Sequence, residues 1–88
     1  MSRKVSIIIP AYRSETTIER CVQSLVQGDY PDLEILLIED CSPDNSWAVC
    51  QKLEKTYACV RAFRNEQNSG PSATRNRGLQ EMTGQYVM

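Results

Sequence analysis

The stretch Ile35-Leu36-Leu37-Ile38-Glu39-Asp40-Cys41-Ser42-Pro43-Asp44 limits what this chain can fold into more than any other. Its nearly unbroken apolar run reads as a strand buried on both faces, which is how strands of parallel sheets look. Parallel neighbours need crossovers long enough to hold a helix, and the flanking sequence supplies them. Val5 to Ile9 is a β-branched run halted by Pro10 and reads as a first strand. Ser14 can cap a helix over Glu15 to Gln27, in which Ile18, Cys21, Val22, Leu25 and Val26 fall on one face. Gly28 suits a left-handed residue after that helix, and Asp29-Tyr30-Pro31-Asp32 is turn chemistry.

The second strand covers Leu33 to Ile38, and Asp44, Asn45 or Ser46 can cap a helix running to about Tyr57. Val60 to Phe63 reads as a third strand and Asn65 to Gly70 as a polar loop. Pro71 suits the first residue of a third helix, which reaches about Met82 before Gly84 and a fourth strand from Gln85. This β-α-β-α-β-α-β order predicts an α/β fold: a Rossmann-like, three-layer parallel sheet with strand order 3-2-1-4. The ligand crevice is then expected between strands 1 and 4, outside their carboxyl ends.

Eighty-eight residues allow one small domain, burying roughly 60–65% of the unfolded surface. A net charge of −1 argues against nucleic acid as a partner. Cys21, Cys41, Cys50 and Cys59 lack CxxC spacing, and there is no histidine, so mixed Cys/His metal sites are excluded. Reduced thiols in a cytoplasmic protein are the expectation. The short run before Pro10 is too brief for a signal peptide or a membrane span. Membrane association through segments outside the chain stays open. Gln85 to Met88 reads as a strand just begun, so the chain is expected to be a fragment whose exposed edge invites self-association into a homo-oligomer.

Three pieces carry chemistry. Pro10-Ala11-Tyr12-Arg13-Ser14 leaves the first strand at the crevice, where Tyr12 either stacks on a nucleobase or covers the sheet edge with its hydroxyl in water. GxGxxG and GxxxxGK[ST] are both absent, which counts against dinucleotide and P-loop chemistry. Glu39 and Asp40 are either solvated loop acids, part of a magnesium site, or acceptors for a ligand N–H. A carboxylate accepts and cannot donate. Asp40 would therefore pair with the N3–H of uracil, where cytosine has no N–H. The third piece is Asn68 to Gly78. Its helix N-terminus offers N–H groups to an anion. Arg75, Gly78, Leu79 and Met82 share a helical face, which would bury Arg75 beside an acidic partner such as Asp40; a solvated arginine is the alternative. Gly78 in mid-helix implies close approach to the sheet. Trp47 reads as packing.

In this order the pieces resemble the N-terminal nucleotide-binding part of family 2 glycosyltransferases, which have a GT-A fold. That family shows an opening strand ending in P-x-Y/F-N, seen here as Val5 to Tyr12 with Arg13 for Asn. Its acidic pair and G-S-x-D appear as Glu39 to Asp44 with Cys41 for Gly, which weakens the case that this turn needs a left-handed glycine. N-x-G-x-x-x-A-R-N-x-G appears as Asn68 to Gly78 with Thr74 for Ala, and A-x-G-x-Y-[IV] is echoed by Met82 to Val87.

The resemblance implies that residues 1–88 form the first part of a GT-A domain in an inverting, hexosyltransferase-type enzyme of polysaccharide biosynthesis. Its substrates would be a UDP-sugar donor and a saccharide acceptor. Pro10, Ala11 and Tyr12 would line the base and ribose site, Asp40 would bind uracil, and Arg75 would sit beside it, bonded to Asp40 or the nucleotide. The family's D-x-D motif, holding a divalent metal (Mn or Mg), and its catalytic base would lie beyond residue 88. No transfer activity is then expected of the chain alone. A phospho-receiver domain is the second reading, since Leu36 to Asp40 is similar to that fold's first strand. A full strand and helix precede it here, however, and Val60 to Phe63 ends in no Asp.

Overall fold

The computed structural model describes residues 4–13, 15–28 and 32–87. Ser14 and most of the 29–32 turn, as well as Met88, lie outside the described residues. The element order is β1 (Val5–Ala11), α1 (Ile18–Val26), β2 (Leu33–Glu39), α2 (Ser46–Thr56), β3 (Val60–Arg64), α3 (Gly70–Glu81) and β4 (Gln85–Val87). The four strands are parallel in the order β3-β2-β1-β4. The expected topology is therefore the observed one.

Side-chain alternation divides the layers. Ala11, Ile35, Leu37 and Val60 pack against Ile18 and Val22 of α1 and Cys50 and Leu53 of α2. On the opposite face Ile8, Leu36 and Ile38 form a smaller cluster with Phe63 and with Met82 just past α3. β2 is the central element, with Ile35 to Ile38 fully buried, as its apolar run requires. Trp47 packs on the larger cluster, beneath the Arg64 guanidinium 6.0 Å from its ring centroid. Cys21, placed by spacing on the apolar face of α1, is exposed instead. Burial pushes the Cys50 thiol up to about 12, helped by the charge of Glu39, so this core thiol stays protonated. All four cysteines are free.

Pro10 is tolerated in a central strand because of the ladder's phase. Val5 N donates to Asp32 O and Ala11 O accepts from Asp40 N. Odd residues of β1 thus bond to β2, and the missing donor of Pro10 falls on the β4 side. There β4 pairs only with Val5 to Ile7. The outer edge of β3 is guarded differently: Glu54 of α2 accepts the N–H of Ala62, which points away from β2, at 2.8 Å.

α3 turns a different face to the sheet from the one its sequence suggested. Thr74 and Gly78 are buried, while Arg75 and Leu79 are exposed. The reason is Gly78: a Cβ there would lie 2.5 Å from Ile8 Cγ2, so the helix backbone rests on that side chain. This close approach fixes the rotation of α3 and turns Arg75 outward.

The amino end of β2 is tied to the segment after α3. Glu34 Oε1 accepts from Ser6 Oγ at 2.8 Å and Thr83 N at 2.9 Å, and Oε2 accepts from Thr83 Oγ1 at 3.0 Å and Arg61 Nη1 at 3.2 Å. Ser6 Oγ accepts the N–H of Gly84 in turn, and Arg61 also donates to Glu81 O, at 2.8 Å. Burial pulls the Glu34 pKa up, but the Thr83, Ser6 and Arg61 bonds outweigh it, taking the group from an ordinary 4.5 to about 2.

Two measurements check this packing. Gly78→Ala should lower the urea midpoint. Its helix-propensity gain of about 1 kcal/mol is offset by overpacking against buried Ile8 and leaves a net loss of about 1–2 kcal/mol. Glu34 has a depressed folded pKa, so its stabilisation is complete above its unfolded value and is lost as pH falls toward 2. That amounts to about 3 kcal/mol. Urea titrations between pH 5 and 2 should show wild type losing this stability and Glu34→Gln, already weaker at pH 7, losing much less.

Candidate functional site

The two acids at the end of β2 face opposite sides and do different work. Glu39 is fully buried on the α1/α2 side. Its Oε2 accepts from Cys41 N at 2.8 Å and lies 3.3 Å from Arg64 Nε. Its Oε1 accepts from Ser42 N at 2.6 Å and from the Ser42 hydroxyl. Glu39 therefore braces the 41–44 turn. Asp44 then accepts from Ser46 N and Oγ, starting α2 as the capping signal predicted. Cys41 has φ +56°, so the turn does use the left-handed conformation, with a cysteine in place of glycine. Arg13, also non-glycine, has φ +52°.

Asp40 points to the α3 side and is 6% exposed. Its Oδ1 accepts from Asn65 Nδ2 at 2.8 Å and Ser69 N at 2.9 Å, and its Oδ2 accepts from Gly70 N at 3.0 Å. The Ser69 side chain makes no cap bond to α3. The cap is Asp40, some thirty residues earlier in sequence. The N–H groups of Ser69 and Gly70, expected to await a ligand anion, are thus taken by an internal carboxylate. Favourable placement of a negative charge at the helix N-terminus explains the choice. Burial raises the Asp40 pKa, yet bonds from Asn65, Ser69, Gly70 and Thr74 hold the carboxyl below its usual range. It is an ionised acceptor.

The other predicted residues differ in exposure. Pro10 is exposed and, by strand alternation, on the same face as Asp40. The methyl of Ala11 is fully buried in the α1/α2 core, and its carbonyl accepts Asp40 N at 2.9 Å. Ala11 therefore anchors Asp40 and turns no side chain toward a ligand. Tyr12 is 43% exposed, with the Arg13 guanidinium 5.5 Å from its ring centroid. Arg75 is exposed on α3, which corrects its expected burial. With Asp40 bonded to Asn65 and the α3 N-terminus, that carboxylate has a role independent of arginine.

Asn65 and Thr74 escaped the sequence reading. Asn65, 8% exposed, sits at the carboxyl end of β3, the same location that singled out Asp40. That was the available signal. Thr74 is 1% exposed and was legible only as a departure from a motif. Among the described residues no three His, Cys, Asp or Glu side chains gather to hold a metal ion. The oxygens of the acidic pair are met by protein donors.

Residues 6–88 match the sequence profile of Glycosyl transferase family 2. The chain belongs to that family. An uncharacterized glycosyltransferase, YibD, of Escherichia coli K12 is 37% identical over 86 residues, which are 98% of this chain and 25% of YibD. Residues 1–349 of S. aureus TarS, in complex with UDP-GlcNAc, superpose with a TM-score of 0.83 at 31% identity, covering 96% of this chain and 26% of that one. The mannosyltransferase PcManGT of Pyrobaculum calidifontis, in complex with GDP-Man and Mn2+, gives 0.87 at 22% identity, covering 96% and 26%. That last likeness speaks to the GT-A fold alone. The chain spans about a quarter of the length of each and corresponds to the N-terminal part of family 2 enzymes. No helix among its described residues is long and apolar enough to cross a membrane.

The left-handed Cys41 gives a test of the turn. Cys41→Gly should raise stability by about 1 kcal/mol, through relief of left-handed strain, less the entropy cost of glycine. Chemical denaturation of the two chains measures it.

Proposed function

We propose that this chain binds the donor nucleotide in an inverting, hexosyl-transferring glycosyltransferase that uses a UDP-sugar and a saccharide acceptor. The observation that carries this reading is Asp40. It is an ionised, acceptor-only group at the carboxyl end of the central strand, in a chain 31% identical to a protein crystallised with UDP-GlcNAc. A uracil ring presents N3–H to such an acceptor, whereas cytosine presents a lone pair there and is repelled. Oδ1 already accepts two bonds and Oδ2 that of Gly70, so Oδ2 is the oxygen suited to the base.

In this reading the rings of Pro10 and Tyr12 form the apolar wall against which base and ribose stack. Ala11 contributes by holding Asp40 through its carbonyl, and exposed Arg75 supplies positive charge near the nucleotide. The arrangement is prebuilt: Asp40 is fixed before any ligand arrives, so little ordering entropy is spent on binding. The divalent cation expected with the donor, Mn2+ or Mg2+, and the catalytic base belong to residues outside this chain. The chain's own part is recognition, with the protein placed in the cytoplasm where nucleotide sugars are found.

Asp40→Asn should weaken UDP binding by about tenfold or more, the worth of a charge-assisted bond. The amide would turn an N–H donor toward N3–H, or present a neutral oxygen in its place. Titration of amide chemical shifts with UDP measures it. Equal affinity in the two chains would remove Asp40 from the base site.

A further inference from the structure

Behind Asp40 lies a second layer of polar side chains that the base-recognition reading does not use. Asn65 Nδ2 donates to Asp40 Oδ1 at 2.8 Å and to Thr74 Oγ1 at 3.2 Å. Its Oδ1 accepts from Arg77 Nη1 at 3.3 Å, and its backbone N–H donates to Glu39 O at 2.8 Å. These partners allow one orientation of the carboxamide. Two acceptors face its NH2 and a guanidinium faces its oxygen, so a flipped amide would set donor against donor and acceptor against acceptor. Arg77 is itself held, donating to Arg64 O and lying 5.6 Å from the Phe63 ring centroid. Thr74, buried at 1% exposure beneath the first turn of α3, stands where the family motif has alanine. Its hydroxyl is thus a feature that the alanine form of the motif lacks.

We infer that Asn65 and Thr74 are positioning residues for the carboxylate of Asp40, setting its rotation so that Oδ1 is occupied by protein and Oδ2 is presented to the base. The inference rests on the reading of Asp40 as the base acceptor. Neither residue touches the nucleotide. Their effect is on discrimination: a carboxyl that is ionised and oriented accepts N3–H of uracil, while one that turns or gains a proton can offer O–H to N3 of cytosine. The Thr74 hydroxyl is among the groups that hold the carboxyl ionised. The other charged groups on the surrounding elements are Arg13 after β1, Glu34 and Glu39 on β2, Arg61 and Arg64 on β3, Glu66 before α3, and Arg75, Arg77 and Glu81 on α3. None of them changes in the variants below.

The test uses two readouts on the chain and on Thr74→Ala, Thr74→Val and Thr74→Ser, with folding checked by amide spectra. The first is ligand-free: the acid titration of the Asp40 carboxyl carbon by NMR. The second is the ratio of UDP to CDP affinity at neutral pH. Removing the hydroxyl, by either the smaller Ala or the isosteric Val, should raise the Asp40 midpoint and lower the UDP-over-CDP ratio about threefold to tenfold, the worth of one hydrogen bond. Serine should restore both. A purely structural threonine would instead separate Ala from Val and leave the ratio untouched. Wild-type midpoints and ratios in both Ala and Val overturn the inference. An unchanged ratio in Asp40→Asn overturns the base reading instead, and the ligand-free titration then decides the positioning role by itself.

Discussion

Two carboxylates on one strand hold both ends of one helix. Glu34, one residue into β2, receives Thr83 just past the end of α3, and Asp40, directly after β2, receives the amides of Ser69 and Gly70 at its start. Their spacing is even, so both project to the same face. Six strand residues span roughly 20 Å and a twelve-residue helix roughly 18 Å, so the two anchors are matched to what they grip. The small Ile8–Leu36–Ile38 cluster alone would leave α3 loosely attached. With polar bonds at each end and Gly78 resting on Ile8 between them, the helix has one position and one rotation.

This constraint decides the character of the candidate site. A helix N-terminus in an α/β protein is an inviting place for a ligand anion, but here the protein has placed its own anion there. Asp40 thereby becomes an acceptor held from three sides, by Asn65, Ser69 and Gly70. Glu39, the adjacent acid, is spent on the 41–44 turn. One strand end thus yields a carboxylate that braces a turn on one face and a carboxylate that caps a helix on the other.

The sheet was legible because its signals are local. The apolar run of β2, the β-branched run of β1 and the Ile18–Val22 spacing of α1 each carry their answer within a few residues, though β1 runs on through Pro10 to Ala11 and Cys21 is exposed, and the strand order followed from alternation of elements. The rotation of α3 was not legible. The helix has few apolar residues, and the 75-78-79 and 74-78 faces both include Gly78. Only contact with Ile8 chooses between them, and that contact is seventy residues distant in sequence. For the same reason Arg75 was expected inside and Thr74 went unnoticed. The partners of Asp40 were hidden because a cap normally lies within a residue or two of its helix. Cys41 was misjudged because residue type is a weak guide to backbone conformation where the Glu39 carboxylate accepts the amides of Cys41 and Ser42 and compels the turn.

The carboxylate of Glu54 has an effect that reaches past the stability of β3. By filling the outward N–H of Ala62, it denies an incoming strand one rung of the ladder at that border. The sheet is thereby made directional. Further strands are discouraged beside β3, so enlargement of the layer is steered to the flank where β4 lies, the same flank toward which Pro10 and its neighbours open.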